Sequence, residues 1–517
     1  MKVRPRLAVA VLLLIAATLL SVVFWNEPAF LISSDSLLPA AFVWDVLHHS
    51  YAWSNFQQAR VPSFFPDLLI YAPVQILTGS WRLAMTVWIF VVVGWLLAIG
   101  TWITARLARA SLEVAALSFL LPCLVFMMGA AFGFPRFAEA MDNNGYLLPY
   151  LLILIPYTHG GSFLLALTAA SVPGRNVEQA VTPKAFALWI FCCAGAVSDP
   201  ICLVALLVPL TAAILASLSV GVVGRNTSRQ LLAGAWGGAA LGWLLARQLF
   251  REAMPMPSLA SIREHLGSLA AGSIGHPGIT IVVLGFVLLV GCDIRQRGLR
   301  GWLGSFWSVF GVTSVLGCLA VMIIYYQDIW SYRYALPLFW WTVILTAAAL
   351  TRYGERSPSL LHLPVAGIIA GLALWDLTHG LHTPKLLVWE APVASCLQKS
   401  GLRAGLADYW GARSNSAASN WEIQIEQITK AGAANVWGND ILWFNHDIHD
   451  GSRRPDYRFI LMDDLSPDRI ASVYGRPDNV MTCGQTTVWL YNDADQLYHN
   501  LARVSPFLAE LKAPPAD

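Results

Sequence analysis

The sequence predicts a polytopic α-helical membrane protein with a C-terminal soluble α/β domain. Hydrophobic residues make up 56% of the 517 residues and charged residues 12%, against roughly a quarter charged in an ordinary soluble domain. Apolar runs of about 20 residues recur, each long enough to cross a hydrocarbon core of roughly 30 Å. This composition excludes an ordinary soluble enzyme, and a net charge of +2 provides no basic surface for nucleic acid.

Charge density divides the chain into two parts. Residues 382–517 carry 12 Lys/Arg and 16 Asp/Glu, about 21% of that segment, whereas the preceding residues are about 9% charged. We therefore expect residues 1–381 to form a transmembrane domain that includes a long first external loop over residues 26–82. Residues 382–517 are expected to form the water-soluble domain.

Eleven membrane spans are predicted. The first apolar run, which ends at Trp25, is longer than a signal-peptide core and lacks a small-residue cleavage pattern, so it is assigned as the first span. Two places leave the count open: the run over 146–171, which Pro156 can break, and the short pair of runs on either side of Asp199. The later runs cover 83–104, 112–133, 146–171, 185–197, 201–219, 230–249, 278–292, 303–325, 335–350 and 362–380.

The distribution of basic residues predicts the orientation. With the amino terminus in the cytoplasm, fourteen Lys/Arg of the first 381 residues lie inside and seven outside, as the positive-inside rule requires. Eleven spans then place the C-terminal domain outside, in the periplasm of a bacterial-type inner (plasma) membrane. Cys396 and Cys483 are the two cysteines of that domain, so an oxidising compartment predicts a disulfide between them, with two free thiols as the alternative.

The first external loop holds three carboxylates of interest. Asp35 follows the first span by about ten residues, which places it at the outer membrane surface; its alternative role is to cap the helix that begins near Leu37. Asp45, His48 and His49 are spaced i, i+3 and i+4, so a helix would place them on one side, either as a functional group or as a solvated face. Asp67, the third carboxylate, follows Phe65-Pro66, and its alternative role is to cap the next helix.

Further polar residues lie at predicted external membrane edges. Asp199 separates two short apolar segments, and Tyr332-Arg333-Tyr334 precedes the tenth span. Because an ion at a membrane edge is costly to bury, such residues tend to face a water-filled cavity or a partner. The remaining cationic candidates for a functional site in the predicted external loops are Arg136, Arg251, Arg263 and His276.

This layout resembles the GT-C superfamily of integral-membrane glycosyltransferases, which includes the protein O-mannosyltransferases and lipid A aminoarabinose transferases. The shared features are a cytoplasmic amino terminus, about eleven spans, an acidic residue soon after the first span, an aromatic-Arg-Tyr motif before a late span and an external C-terminal domain. Members commonly show a paired acidic motif where this chain has Ser34-Asp35-Ser36, which leaves the identity of the catalytic residue open.

The resemblance implies transfer of a sugar from a polyprenyl-phosphate donor to a hydroxyl of a glycan, lipid or protein acceptor outside the membrane. It implies catalytic roles for Asp35, as general base, and for Asp45 and Asp67, which would orient the acceptor or the sugar. Arg333 would hold the phosphate. The other residues expected to bind substrate are Tyr332, Tyr334, Asp199, Arg136, Arg251, Arg263, His276, His48 and His49. No cofactor is implied, and a divalent-metal requirement stays open.

In the C-terminal domain, residues 457–462 and 486–491 are predicted strands. Between them a helix is predicted from Ser466-Pro467 to Tyr474, which makes a βαβ unit, and residues 421–429 are predicted as a further helix. The motif His446-Asp447-Ile448-His449-Asp450 is best explained as an exposed loop, since its spacing matches no metal site. Two other functions compete with the enzyme: a polytopic transporter or lipid flippase, and a non-catalytic assembly protein for cell-surface polysaccharide.

Overall fold

The computed structural model describes residues 5–25, 32–49, 55–57, 62–132, 152–173, 181–249, 258–275, 277–325, 329–355, 359–375, 391–451 and 453–511. The chain divides into two compact units. The helical unit consists of Met1–Glu27, Arg60–Tyr71 and Ala84–Pro384. The mixed unit consists of Pro28–Ala59, Ala72–Leu83 and Lys385–Asp517.

Helices account for most of the described residues. In chain order they are α1 (Pro5–Trp25), α2 (Ser34–His48), α3 (Leu69–Thr78), α4 (Trp81–Ala108), α5 (Leu112–Phe132), α6 (Gly160–Ser171), α7 (Val181–Ser198), α8 (Val208–Ser219), α9 (Arg225–Leu249), α10 (Leu259–Gly275), α11 (Pro277–Leu303), α12 (Phe306–Tyr325), α13 (Leu336–Gly354), α14 (Ser359–Trp375), α15 (Pro392–Lys399), α16 (Tyr409–Ala418), α17 (Pro467–Tyr474) and α18 (Ala494–Val504). The strands are β1 (Phe56–Gln57), β2 (Ala404–Ala407), β3 (Gln424–Gln427), β4 (Asn439–Asp440), β5 (Tyr457–Leu461), β6 (Asn479–Cys483) and β7 (Thr486–Leu490).

Within the described residues, four helices are long and apolar enough to cross a membrane. They are Trp81–Ala108, Val181–Ser198, Phe306–Tyr325 and Arg333–Gly354. Five shorter apolar helices accompany them: Ala8–Ser21, Phe64–Thr78, Leu112–Val125, Gly160–Ser171 and Leu203–Ser219. Each of the eleven predicted apolar runs overlaps a helix, while the number of crossings and their orientation stay predictions.

Both places that left the span count open are breaks between helices. In the first, α6 begins only at Gly160, directly after His159, whose φ of 70° is left-handed. In the second, α7 ends at Ser198, and the chain passes through Asp199-Pro200 into a π-helical turn at Leu203–Leu207 before α8. A proline has no N–H to continue a helical ladder, which fits the break at Pro200.

The mixed unit contains a five-stranded sheet in the order β3-β2-β5-β7-β6. Strand β2 is parallel to both β3 and β5, whereas β7 is antiparallel to β5 and β6. The strands and the helix predicted between residues 457 and 491 are confirmed. Their connection is not the predicted βαβ unit, because β5 and β7 are antiparallel; the parallel βαβ unit is β2-α16-β3. The helix predicted over residues 421–429 is wrong, since that segment contains β3.

Apolar side chains cover both faces of this sheet. Phe459 and Leu461 of β5 belong to one buried cluster and Ile460 to another, and alternate residues of a strand face opposite sides. A disulfide joins Cys396, in α15, to Cys483, at the end of β6. The predicted pairing of these two cysteines is therefore present.

Two segments of the predicted first external loop fold with the C-terminal chain. Helix α2 packs against α16, where Ser34 Oγ donates a hydrogen bond to the carbonyl oxygen of Tyr409 at 2.6 Å. Strand β1 pairs antiparallel with β4. The predicted division at residues 381/382 lies close to the observed one at Pro384/Lys385, but the assignment of the whole loop to the transmembrane domain is wrong. The buried faces of α2 explain the difference, because they require a partner.

Candidate functional site

A buried polar cluster lies inside the helical unit. We call it the Asp199 cluster, and it comprises Asp67, His159, Asp199, Arg333 and Tyr334. These residues come from four segments that are far apart in the sequence. Polar groups inside an apolar helical unit are costly, so they are the first place to look for function.

His159 and Asp199 form the centre of the cluster. His159 Nδ1 lies 2.7 Å from Asp199 Oδ2, and the two residues are 6% and 0% exposed. The N–H of Ile201 donates to Asp199 Oδ1 at 2.9 Å, which fixes the carboxylate. A carboxylate that accepts from Nδ1–H holds the imidazole in one tautomer, so Nε2 is the nitrogen that accepts a proton from a substrate.

Tyr334 and Arg333 extend the cluster from the turn at Ile329–Ala335. The Tyr334 ring lies 5.1 Å, centroid to centroid, from the His159 imidazole. The half-buried guanidinium of Arg333 lies 5.3 Å from the centre of the Tyr334 ring, and its Nη2 is 3.5 Å from Tyr334 Oη. The Tyr334 ring thus contacts both the imidazole of His159 and the cation of Arg333. The side chain of Tyr332 lies outside the described part of the structure.

Asp67 belongs to a π-helical turn, Phe64–Leu68, that precedes α3. It is 2% exposed, and its Oδ2 accepts a hydrogen bond from the N–H of Tyr157 at 2.8 Å. Asp67 Oδ1 has no hydrogen-bond partner among the described residues. Asp67 does not cap the helical turn to which it belongs, because its carboxylate accepts from the distant Tyr157. The alternative role of helix capping is therefore wrong. Asp67 also interacts electrostatically with Asp199.

Ser198 accepts two hydrogen bonds that join the segment before Asp67 to the segment of Asp199. The N–H of Ser63 donates to the Ser198 carbonyl at 3.0 Å, and the N–H of Phe65 donates to Ser198 Oγ at 2.7 Å. The sequence had singled out Asp67, Asp199, Arg333 and Tyr334 separately, and the structure brings them together. It did not single out His159; the available signal was a histidine inside the apolar run over 146–171, immediately before Gly160-Gly161.

Asp35 lies in the mixed unit. Ser33 is the N-cap of α2 and forms a capping box with Ser36, so the alternative that Asp35 caps this helix is wrong. Asp35 Oδ1 accepts a hydrogen bond of 2.5 Å from Tyr409 Oη, and Asp35 is 9% exposed. Its role as general base stays a prediction.

Asp45 and Asp440 form a buried carboxyl pair in the mixed unit. Asp45 is fully buried, accepts from Trp443 Nε1 at 3.0 Å and lies 2.8 Å from His49 Nδ1. Burial raises the pKa of Asp45, although its hydrogen bonds to Asp440 and Trp443 act in the opposite direction. Burial and the neighbouring Asp45 raise the pKa of Asp440. Ionised carboxyls in contact repel each other, so such a pair retains a proton to a higher pH than a lone carboxyl. Asp45 is fully buried, so the alternative of a solvated face for it is wrong.

Around this pair the mixed unit buries further charge. Arg413 of α16 lies 3.7 Å from Glu426 of β3 and 4.7 Å from the centre of the Trp443 ring. It also donates to Asn439, which itself donates to Glu426 at 2.8 Å. Burial raises the pKa of Glu426, while Arg413 opposes that shift. Arg413 and Glu426 thus compensate each other's charge, and Asn439 bonds to both. This pairing favours a structural role.

The remaining candidates do not join either cluster. His48 is exposed, with Nδ1 2.7 Å from the Trp44 carbonyl, and Arg263 is exposed on α10. In the predicted loop motif, His449 is exposed but His446 is buried. No group of three His, Cys, Asp or Glu is arranged for a metal ion in the described ranges. Arg136, Arg251 and His276 lie outside the described residues.

The fold and the Asp199 cluster thus define a largely helical chain with membrane-length apolar helices and a buried ionisable site. Comparison with protein-family models, with curated proteins and with solved structures finds no match for this chain.

Proposed function

We propose that the protein is a membrane glycosyltransferase. It transfers a sugar from a polyprenyl-phosphate donor to a hydroxyl of a glycan, lipid or protein acceptor on the extracytoplasmic face. The observation that supports this most is the Asp199 cluster, which combines an imidazole–carboxylate pair with an arginine inside the helical unit. General-base and phosphate-binding groups are the two requirements of the reaction.

The proposed reaction is a single displacement at the anomeric carbon. The acceptor oxygen forms a bond to this carbon while the bond to the phosphate oxygen breaks, and polyprenyl phosphate leaves as an anion. His159 Nε2 takes the hydroxyl proton, and Asp199 stabilises the imidazolium that forms. Arg333 stabilises the leaving phosphate, since charge-assisted hydrogen bonds to an anion are among the strongest available.

Asp35 is the competing candidate for the base, because the resemblance to GT-C enzymes implies it. Its support is its position shortly after the first predicted span, and Ser33 rather than Asp35 caps α2. Asp45 is a poorer candidate, since it is fully buried and paired with Asp440. The two assignments differ in which single substitution removes activity.

The test is transfer of a radiolabelled sugar by the purified protein from a panel of polyprenyl-phosphate donors to membrane extracts. His159→Gln and Asp199→Asn are expected to lower kcat by about 10²-fold or more, and Arg333→Gln to lower it similarly. Arg300→Gln is the matched control, because Arg300 is an exposed arginine on α11. If Asp35→Asn alone removes transfer, the base is Asp35. No transfer with any donor would contradict the enzyme.

A transporter is the second candidate, and one observation favours it. The Asp199 cluster lies where apolar helices are interrupted, before α6 and between α7 and α8. Interrupted helices around buried ionisable residues are a recurring design of secondary transporters. Reconstituted vesicles distinguish the two functions: a transporter would give solute or lipid flux that His159→Gln abolishes, without any glycosyl transfer.

A further inference from the structure

We propose that Asp67 is a positioning residue that holds the Tyr157–His159 turn so that His159 meets Asp199. The role of His159 as a base rests on the proposed function, whereas the positioning itself does not. Asp67 acts through the backbone of Tyr157, whose N–H it accepts.

The turn is conformationally strained. Tyr157 has φ 67° and His159 has φ 70°, and both are residues with a Cβ. Each such left-handed residue costs about 1 kcal/mol or more and persists only where its surroundings fix it. The conformation that places His159 beside Asp199 therefore needs restraints from outside the turn.

Asp67 and Asp199 each restrain one of the two strained residues. Asp67 Oδ2 accepts the N–H of Tyr157 at 2.8 Å, and Asp199 Oδ2 contacts His159 Nδ1 at 2.7 Å. The hydroxyl of Thr158, between them, donates back to the Ile155 carbonyl at 2.7 Å. Loss of the Asp67 contact leaves the first strained residue without its side-chain restraint.

The sequence of the turn makes room for the carboxylate. A Cβ built on Gly161 would lie 1.8 Å from Asp67 Oδ1, so only glycine allows this approach. The carboxylate therefore lies against the first turn of α6, where the helix dipole favours negative charge. Asp67 Oδ1, the oxygen at Gly161, has no hydrogen-bond partner among the described residues.

The position of Asp67 is linked to that of Asp199 through Ser198. Phe65, two residues before Asp67, donates to Ser198 Oγ, and Ser63 donates to the Ser198 carbonyl. The same short segment thus fixes the turn that carries His159 and the residue before its partner Asp199. A change at Asp67 is expected to alter the geometry of the pair rather than the fold of the whole unit.

The test compares Asp67→Ala with Asp67→Asn in the full-length protein. Asparagine keeps an oxygen that can accept the Tyr157 N–H, whereas alanine removes it. The first readout is carbethoxylation of His159 by diethylpyrocarbonate, followed by mass spectrometry, with the exposed His499 as internal reference. We expect Asp67→Ala to raise the His159 rate about tenfold, because misplacement releases the imidazole, and Asp67→Asn to leave it within about twofold.

The second readout is catalytic. Asp67→Ala is expected to lower kcat about tenfold or more with KM nearly unchanged, and to move the acidic limb of the kcat–pH profile, while Asp67→Asn keeps both. Gly161→Ala displaces the same carboxylate and should reproduce the labelling change if Asp67→Ala does not fold. Unchanged His159 labelling in folded Asp67→Ala overturns the positioning role. Absence of transfer by the wild type overturns the proposed function only, since labelling still decides the role of Asp67.

Discussion

The carboxyl pair of Asp45 and Asp440 shows how a single buried contact makes stability depend on pH. Both groups have a pKa above the ordinary value in the folded protein, whereas in the unfolded chain they ionise near their usual pKa of about 4. As pH rises above that value, the unfolded chain loses protons that the folded chain retains. The stabilisation is therefore complete at low pH and is lost as pH rises toward the folded pKa values.

Asp440→Asn tests this dependence. In the wild type we expect the free energy of unfolding to fall by at most about 1.4 kcal/mol per pH unit above pH 4. Asp440→Asn is expected to remove this fall, because an amide does not ionise. Thermal unfolding of the full-length protein, followed by tryptophan fluorescence between pH 5 and 9, measures it. Asp464→Asn is the matched control, since Asp464 is exposed. A wild-type pH slope in Asp440→Asn would contradict the retained proton.

The ion pair of Arg413 and Glu426 gives a second prediction at this scale. Arg413→Met is expected to cost about 3 kcal/mol, because it leaves Glu426 buried without its cation. Adding Glu426→Gln should recover much of that loss, since the amide keeps a hydrogen-bonding oxygen without charge. Denaturant unfolding of the single and double variants measures the coupling, and additive effects would show that the two residues do not interact.

The sequence predicted individual site residues better than their partners. A charged residue beside an apolar run carries its own signal, which is why Asp67, Asp199 and Arg333 could be singled out. His159 could not, because its importance comes from Asp199, 40 residues later in the chain. The same holds for Asp45, whose partner Asp440 is supplied by a distant strand.

Among the elements, those with a periodic apolar pattern were predicted well. Strand β5 and helix α17 have apolar spacing and turn residues at their ends, and both occur where the pattern places them. Strand β3 has the sequence Gln-Ile-Glu-Gln and is buried at every position. Glu426 lies in the network of Arg413 and Asn439. The alternation of apolar and polar residues covers only residues 423–426 and ends at Gln427, whereas Trp421, Ile425 and Ile428 have the i, i+4, i+7 spacing of a helix.

The packing of β2 against β5 allows a test of the sheet. A Cβ at Gly405 would lie 2.3 Å from the Phe459 ring, so Gly405→Ala must displace that ring. We expect a loss of about 1–3 kcal/mol in unfolding free energy, as is usual for overpacking. Gly451→Ala is the control, because nothing lies within 4 Å of its added Cβ. Equal stability of the two variants would contradict the observed register.

At the scale of the whole chain, the disulfide is linked to the predicted orientation, because both require the C-terminal domain to lie in an oxidising compartment. The bond between Cys396 and Cys483 spans 87 residues, and its loss by reduction is expected to cost about 4 kcal/mol through the unfolded-state entropy. Such bonds persist in oxidising compartments. Altered gel mobility on reduction, and protection of both thiols from alkylation without reductant, are the expected results.

Fusion of a topology reporter at residue 400 checks the orientation independently. A reporter that is active only outside the cytoplasm should be active there, because the charge asymmetry predicts an external C-terminal domain. A fusion after Arg300, predicted to lie inside, is the control. Activity of a cytoplasm-specific reporter at residue 400 would overturn the predicted orientation.

The interleaved composition of the mixed unit affects how the protein is made. Helix α2 buries most of its residues, including Leu37, Leu38 and Phe42, in a unit whose sheet comes from residues after 403. At a synthesis rate of about 5–20 residues per second, the ribosome needs roughly 15–60 s to reach that sheet after it completes Leu83. Throughout this delay α2 lacks the residues of α16 against which it packs, so the mixed unit can complete its fold only after the C-terminal chain has been made.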